Sequence, residues 1–364
     1  MGGRPVLFLS YSGVLGGAER VLLDCATRLG RPALVACPEG PLAVAARSAG
    51  LAVEPIPERS LRLRGARAQA ARGLAGLALD AARLARRHAP AALVAWGSRA
   101  VLATAAAPRS GAPWLAVHHD LLPSAGVAAA VRAASRRAGG VVATSRAVAH
   151  DVAPPRAGAP HAAGEPAPGV TILHPGVDLA AWPPLPPAGG PPCALLLGAL
   201  VPWKRADLAL EIAARVPDLR LEIAGAPIPG DSAAFHESLR ARAAQPDLEG
   251  RVTFSGALPD PRPALARAHL LLHCADAEPF GMALLEALAS GRPVAAPAAA
   301  GPLEIVGDGA GRLYPPGDAA AGAEAVQALL QDRDAPARAR RRAERFPVEA
   351  SAARLAAAVQ SVAR

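Results

Sequence analysis

Lysine is almost missing from this 364-residue chain. Lys204 is the only one, and arginine carries nearly all of the +9 formal net charge. Aromatic residues make up only 3%, so the basic surface lacks the interleaved aromatics of a nucleic-acid binder, and no nucleic-acid partner is expected. A solvated basic surface is the plainer reading. Cys25, Cys37, Cys193 and Cys274 are scattered without metal-ligand spacing, which argues against a disulfide framework or a zinc site. A reducing cytoplasm is the compartment expected of such a chain. No run of 18 apolar residues escapes interruption by charge or proline, so no membrane span is expected. The opening MGGRPVLFLSYSG likewise lacks the long apolar core of a secretory leader.

What is present is apolar: 52% of residues, mostly alanine, leucine and valine. That composition packs, favours helix, and over this length can fill two cores. Short apolar runs alternate with helical periodicity, which predicts βα units and parallel sheets. In the first half the strand candidates are residues 6–10, 32–37, 91–96, 114–119, 140–145 and 170–175, with a helix over 18–29. WPPLPPAGGPP, 182–192, is too rich in proline and glycine to continue a sheet and reads as a stiff linker. Strand candidates resume at 193–199, 219–225, 251–256, 269–274 and 293–297. Helices fit residues 206–216, 232–244, 260–267, 281–290 and 319–331, and a last helical segment covers 334–364. The expected layout is a Rossmann-like domain over 1–182, a linker over 183–192 and a second such domain over 193–345. A C-terminal helix, 346–364, is expected to return to the first domain. Carboxyl ends of both sheets would then face a central cleft.

Three stretches could carry chemistry. In LSYSGVLGGAER, 9–20, Gly16 and Gly17 end a loop at a helix start, where backbone N–H groups attract anions. The G-x-G-x-x-G fingerprint is not met, and an ordinary βα turn explains the loop as well. In GALVPWKRADL, 198–208, Lys204 and Arg205 precede a helix whose positive end disfavours cations. An anion such as a diphosphate between them and the dipole makes sense of the pair, and a lone lysine supplies a compact point charge. In AEPFGMALLEALASG, Glu278 precedes a helix and Glu286 interrupts its apolar run. Favourable placement at a helix N-terminus, worth a few tenths to about 1 kcal/mol, accounts for one carboxylate. A second, buried one needs donors, and sugar hydroxyls would supply them.

The E-x7-E pattern of Glu278 and Glu286, its internal FG, Gly291-Arg292-Pro293 and AGPLEIV (300–306) resemble family 4 retaining glycosyltransferases. So do GGAER (16–20), HPGVD (174–178), LVPWKR (200–205) and VTFSGALPD (252–260), in the family's order over nearly the whole chain. The resemblance implies an α/β GT-B fold of two Rossmann-like parallel-sheet domains, with a nucleotide-sugar, GDP- or UDP-hexose, held mainly by the second. Glu286 would hold the ribose hydroxyls. Glu278, with the amides of Gly281 and Met282, would contact the hexose. Lys204 would neutralise the diphosphate, with Gly16 and Gly17 approaching it. His119, in the VHHD stretch, would lie by the transferred sugar, with His118 as its rival. The family often reads G-R-L where this chain has Gly198-Ala199-Leu200; a mannosyltransferase-like subset has LVPYKR instead, so Arg205 would share the phosphate load.

That resemblance implies a metal-independent retaining transfer, without a glutamate nucleophile, to a glycan or lipid-linked saccharide. The one D-x-D, Asp332-Arg333-Asp334, follows a helix and reads as surface. Acceptor-binding loops are expected at 38–60 and 120–135. Transfer to a small metabolite, and a catalytically silent nucleotide-sugar-binding protein, are the alternatives. Residues 60–90 place Arg62, Arg64, Arg67, Arg72, Arg83, Arg86 and Arg87 around a stripe of Leu74, Leu77, Ala78, Ala81 and Leu84. That face could meet anionic lipid at the inner side of the cell membrane, or turn inward to a core; the lack of Trp and Phe favours the core.

Overall fold

The computed structural model describes residues 3–59, 67–108, 111–154, 169–227, 233–307 and 309–363. The chain divides into two compact units, Met1–Gly176 with Val348–Arg364, and Val177–Pro347.

The N-terminal unit holds β1 (Val6–Leu9), β2 (Ala33–Cys37), β3 (Ala52–Pro55), β4 (Ala92–Trp96), β5 (Trp114–His118), β6 (Gly140–Ala143) and β7 (Val170–Ile172). They form one parallel sheet in the order β3-β2-β1-β4-β5-β6-β7. Its central strands are apolar on both faces because helices cover both. Leu7, Leu9, Leu93 and Ala95 share a core with Leu77, Ala81 and Leu84 of the helix Arg67–His88. The stripe that the sequence offered to lipid is therefore buried in this core; Arg62 and Arg64 lie outside the described residues. The helix Val348–Val362 packs on β5, β6 and the helix Gly17–Thr27, all in the same unit.

The C-terminal unit holds β8 (Cys193–Leu197), β9 (Arg220–Ala224), β10 (Val252–Gly256), β11 (Leu270–Leu272), β12 (Val294–Pro297) and β13 (Gly311–Tyr314). Their order is β10-β9-β8-β11-β12-β13, again parallel. Period-2 alternation splits the strands between two cores. Ala194, Leu196, Leu270 and Leu272 face the helices Ala206–Arg215 and Ala319–Gln331. Leu195 and Leu271 face the helices Arg262–Arg267, Met282–Ala289 and Ala335–Ala343. Each fully buried leucine contributes roughly 1.5–3 kcal/mol, which is what fixes these faces.

Four expectations change. The proline-rich stretch 183–192 is no free spacer, since Leu185 N donates to Ser290 O (3.1 Å) and Arg292 Nη2 donates to Pro186 O (2.6 Å). It belongs to the C-terminal unit, whose boundary falls at Val177. The segment 334–364 breaks into two helices around Phe346-Pro347, because proline has no N–H and constrains the residue before it. Residues 41–48 and 125–135, expected as loops, are helical, with Pro41 at the first turn and Ser124 capping at the second. β3 and β13 were not expected.

Candidate active site

In the C-terminal sheet the strand order reverses at β8, whose neighbours are β9 and β11. The helices that follow β8 and β11 pack on opposite faces of the sheet, which makes the carboxyl ends of these strands the usual ligand position in such sheets. The β8 loop starts at Gly198, φ 151°, and runs tight against Gly225, where a Cβ would stand 1.8 Å from Gly198 O. It closes with one 3-10 turn, Pro202–Lys204, and then Arg205 in the left-handed region (φ 53°, ψ 47°). For a non-glycine residue that conformation costs of order 1 kcal/mol or more. Trp203 O accepts from Asp276 N (3.1 Å), tying the β8 loop to the β11 loop.

This tie brings together two residues 74 positions apart: Lys204 Nζ donates to Glu278 Oε2 in a direct ion pair. Both are substantially sheltered, at 22% and 12% side-chain exposure. The ammonium also sits 4.3 Å from the centre of the Trp203 ring, a cation–π contact. Behind the carboxylate stands His273, whose Nε2 is 3.6 Å from Glu278 Oε2 and has no hydrogen-bond partner among the described residues. Burial pushes its pKa down to about 4, against the pull of Glu278, so the imidazole is neutral at physiological pH. Its backbone is fixed by Ala295 O, which accepts from His273 N (2.8 Å), and by Tyr314 Oη, which donates to His273 O (2.6 Å).

Glycines hold the glutamate's loop. Gly301 N donates to Glu278 O (2.8 Å), and a Cβ at Gly301 would stand 2.2 Å from Phe280 O. Gly281, φ 112°, opens the helix Met282–Ala289, and a Cβ there would crowd Leu284 and Glu278 Cγ. Met282 is half-buried against the core. Glu286 lies in that helix at 7% exposure, flanked by fully buried Leu285 and Ala287.

Arg205 is engaged by neighbours: its Nε lies 3.1 Å from both Asp207 carboxylate oxygens and its Nη1 3.0 Å from Asp276 Oδ1. The guanidinium is thus paired with two carboxylates in this structure. Arg292 of the G-x-P element is buried and donates to Leu265 O, Ala266 O and Pro186 O, a scaffold role.

In the N-terminal unit Gly16 precedes the helix Gly17–Thr27. Gly16 N already donates to Glu19 Oε2 (3.0 Å), so a carboxylate of the chain itself occupies that helix start. The two histidines at the end of β5 differ sharply. Ser135 Oγ donates to Val131 O (2.8 Å), so its lone pair accepts from His118 Nε2–H (2.9 Å). Burial lowers the His118 pKa to about 4, and this histidine is a core residue bonded through Nε2, while its Nδ1 is buried without a partner among the described residues. His119 is less buried, its ring 6.0 Å from that of Trp96 and its Nδ1 3.1 Å from Asp120 Oδ2. Gly97 makes room for it, since a Cβ there would meet His119 Nε2 at 2.7 Å.

Of the sequence-predicted residues, Lys204 and Glu278 meet directly, with Arg205 and Gly281 beside them and Glu286 on the next helix. His273 and Asp276 were missed. The available signal was an AD-containing loop after a histidine-ended strand, five residues before Glu278. Among the described residues no three His, Cys, Asp or Glu side chains gather as a metal site would need. A separate cavity of about 500 Å³ lies near the amino ends of β8 and β9. There Arg267 and Ser255 both donate to Glu222 at 2.8 Å, a closed network.

Comparison with known proteins finds similarity concentrated in this unit. The model of "Glycosyl transferases group 1" matches residues 183–346. The matched stretch is a little under half of the chain and coincides with most of the C-terminal unit. Its switch-point loops therefore sit in the matched region. A D-inositol 3-phosphate glycosyltransferase of Mycobacterium avium (strain 104) is 35% identical over 176 residues, 44% of this chain and 41% of that protein. The lipopolysaccharide core biosynthesis glycosyltransferase LpsE of Rhizobium meliloti (strain 1021) is 30% identical over 142 residues, 39% of this chain and 40% of that protein. The chain thus spans about two-fifths of the length of these curated relatives. Among solved structures, Anabaena Alr3699/HepE in complex with UDP-glucose superposes with a TM-score of 0.82 at 24% identity, covering 98% of this chain and 99% of that one. WaaG, a glycosyltransferase involved in lipopolysaccharide biosynthesis, gives 0.68 at 18% identity, covering 97% and 99%. These likenesses make the fold GT-B: two parallel-sheet α/β domains, of which the second holds the matched residues.

Proposed function

We propose that the protein is a retaining, metal-independent glycosyltransferase of the family 4 type. It would move a hexose from a nucleotide-sugar to a glycan or lipid-linked saccharide. The observation that carries this reading is the sheltered Lys204–Glu278 pair at the switch point of the C-terminal sheet, with Glu286 buried in the helix that follows. Lys204 supplies the cation for the leaving diphosphate, and Glu278 and Glu286 supply acceptors for sugar and ribose hydroxyls. Gly281 and Met282 N–H groups point the start of their helix toward the same ligand. The engagement of Arg205 with Asp207 and Asp276 favours for it a role in shaping the loop. His119, rather than the hydrogen-bonded His118, is the histidine available to chemistry, and Gly16 and Gly17 keep the proposed approach to phosphate.

In the proposed reaction the bond from anomeric carbon to diphosphate oxygen breaks as the acceptor hydroxyl attacks from the same face. The acceptor's proton passes to the departing phosphate oxygen. Charge grows on the diphosphate, and a preformed cation beside it is worth most at that moment. UDP-glucose is the first donor to test, because HepE binds it; GDP-mannose follows from the LVPWKR variant. A small phosphorylated polyol is a second acceptor reading, carried by the likeness to D-inositol 3-phosphate glycosyltransferases.

The test is a thermal-shift screen against UDP, GDP, ADP and their hexose conjugates, with and without EDTA. Stabilisation by one base, unchanged by chelator, is expected. No stabilisation by any of them would leave a GT-B fold without donor binding.

A further inference from the structure

A lysine that neutralises a diphosphate cannot also remain the sole partner of a sheltered carboxylate. In the structure Lys204 is the closest charged partner of Glu278. Drawing that ammonium onto phosphate would strip a carboxylate of only 12% exposure of its strongest donor, at the moment when it must hold sugar hydroxyls. Something fixed has to take over.

One group is placed to do so. His273 Nε2 lies 3.6 Å from the same oxygen, Glu278 Oε2, and is buried with no hydrogen-bond partner among the described residues. Buried polar side-chain atoms are normally paired, so an orphan nitrogen beside a carboxylate points to a second arrangement in which the pair forms. The histidine cannot drift to find another partner, because β12 and Tyr314 hold its backbone on both sides. Closing the gap needs less than 1 Å of carboxylate movement.

We propose that His273 is a positioning residue for Glu278: when a nucleotide-sugar draws Lys204 onto its diphosphate, His273 Nε2–H becomes the donor that holds the Glu278 carboxylate against the hexose. This rests on the donor-site reading above. A neutral imidazole suits the task, since a cation there would compete with the sugar for the carboxylate's charge. The depressed pKa keeps it neutral.

The test separates the nucleotide from the sugar. Wild type, His273→Ala and His273→Gln are titrated with UDP and with UDP-glucose (GDP and GDP-mannose if the screen selects guanine), with thermal unfolding recorded for each. A hydrogen bond to a charged group is worth roughly tenfold or more in affinity. His273→Ala should therefore leave UDP binding within about threefold and weaken UDP-glucose about tenfold, while the amide of His273→Gln restores most of the difference. An unchanged UDP-glucose to UDP ratio in folded His273→Ala, or equal loss of both ligands, overturns the proposal. Nitrogen-15 NMR of the wild-type imidazole needs no variant. Saturation with UDP-glucose should give a protonated, hydrogen-bonded Nε2, and an Nε2 without its proton overturns the proposal. Failure of wild type to bind any nucleotide would instead overturn the donor-site reading beneath it.

Discussion

His118 ends a parallel strand and His273 directly follows one, both are buried, and burial pushes both pKa values down to about 4. His118 donates to Ser135 and has become part of the core. His273 Nε2 has no hydrogen-bond partner among the described residues and stands beside an ion pair. A strand-ending histidine in the sequence therefore carries no functional meaning by itself. What separates the two is whether the next helix brings a hydroxyl or the next loop brings a carboxylate. The same contrast holds for the glycine-opened helix starts: Gly16 is already capped by Glu19, whereas Gly281 opens beside the Lys204–Glu278 pair. Both units repeat the doubly wound plan, and the chemistry lies in the loops laid over it.

The sharpest way to break this contrast is Lys204→Ala. Loss of one preorganised charged donor should lower turnover about 10²–10³-fold, whereas Ser135→Ala should leave turnover nearly intact. Near-normal rates in the lysine variant would remove the C-terminal pair from the chemistry. A second test uses the histidines themselves. Each has a folded pKa of about 4 against an unfolded 6.5, so the unfolded chain binds protons first as pH falls. Their contribution is full above pH 6.5 and is lost as pH falls toward 4, by about 3 kcal/mol each. Urea denaturation from pH 7 to 4 should show this drop, and His118→Gln should remove about half of it.

Gly301→Ala should destabilise by about 2–3 kcal/mol, because its Cβ would meet backbone, Phe280 O, at 2.2 Å. Nucleotide-sugar affinity should fall with it if that glycine holds the Glu278 loop, as calorimetry would show. Glu286→Ala should weaken nucleotide binding about tenfold with a smaller change in turnover at saturation. The smallest effect is expected of Ser135→Ala: about 1–2 kcal/mol in thermal unfolding, from the orphaned His118 N–H.

Much of this was legible in the residues. Apolar runs such as Val6–Leu9 and Cys193–Leu197 announced the central strands because parallel strands are buried on both faces. The E-x7-E pattern marked Glu278 and Glu286 because a carboxylate inside an apolar helix needs a reason. β3 was hidden because Glu54 and Pro55 interrupt its short, half-exposed run, and β13, Gly311–Tyr314, begins with glycine and arginine. The Lys204–Glu278 pair joins positions that only the sheet order makes neighbours, and His273 gains meaning only from that pair. The stretch 183–192 read as a spacer because its anchor, buried Arg292, lies a hundred residues further on.

The most direct test of the account is calorimetric titration of wild type and Lys204→Ala with UDP-glucose and GDP-mannose in EDTA. One donor should bind wild type, and the variant, still folded though less stable for the loss of the Glu278 partner, should bind it at least about tenfold more weakly. Equal affinity in the two proteins, or no binding to wild type, would contradict the claim that the Lys204–Glu278 pair receives a nucleotide-sugar.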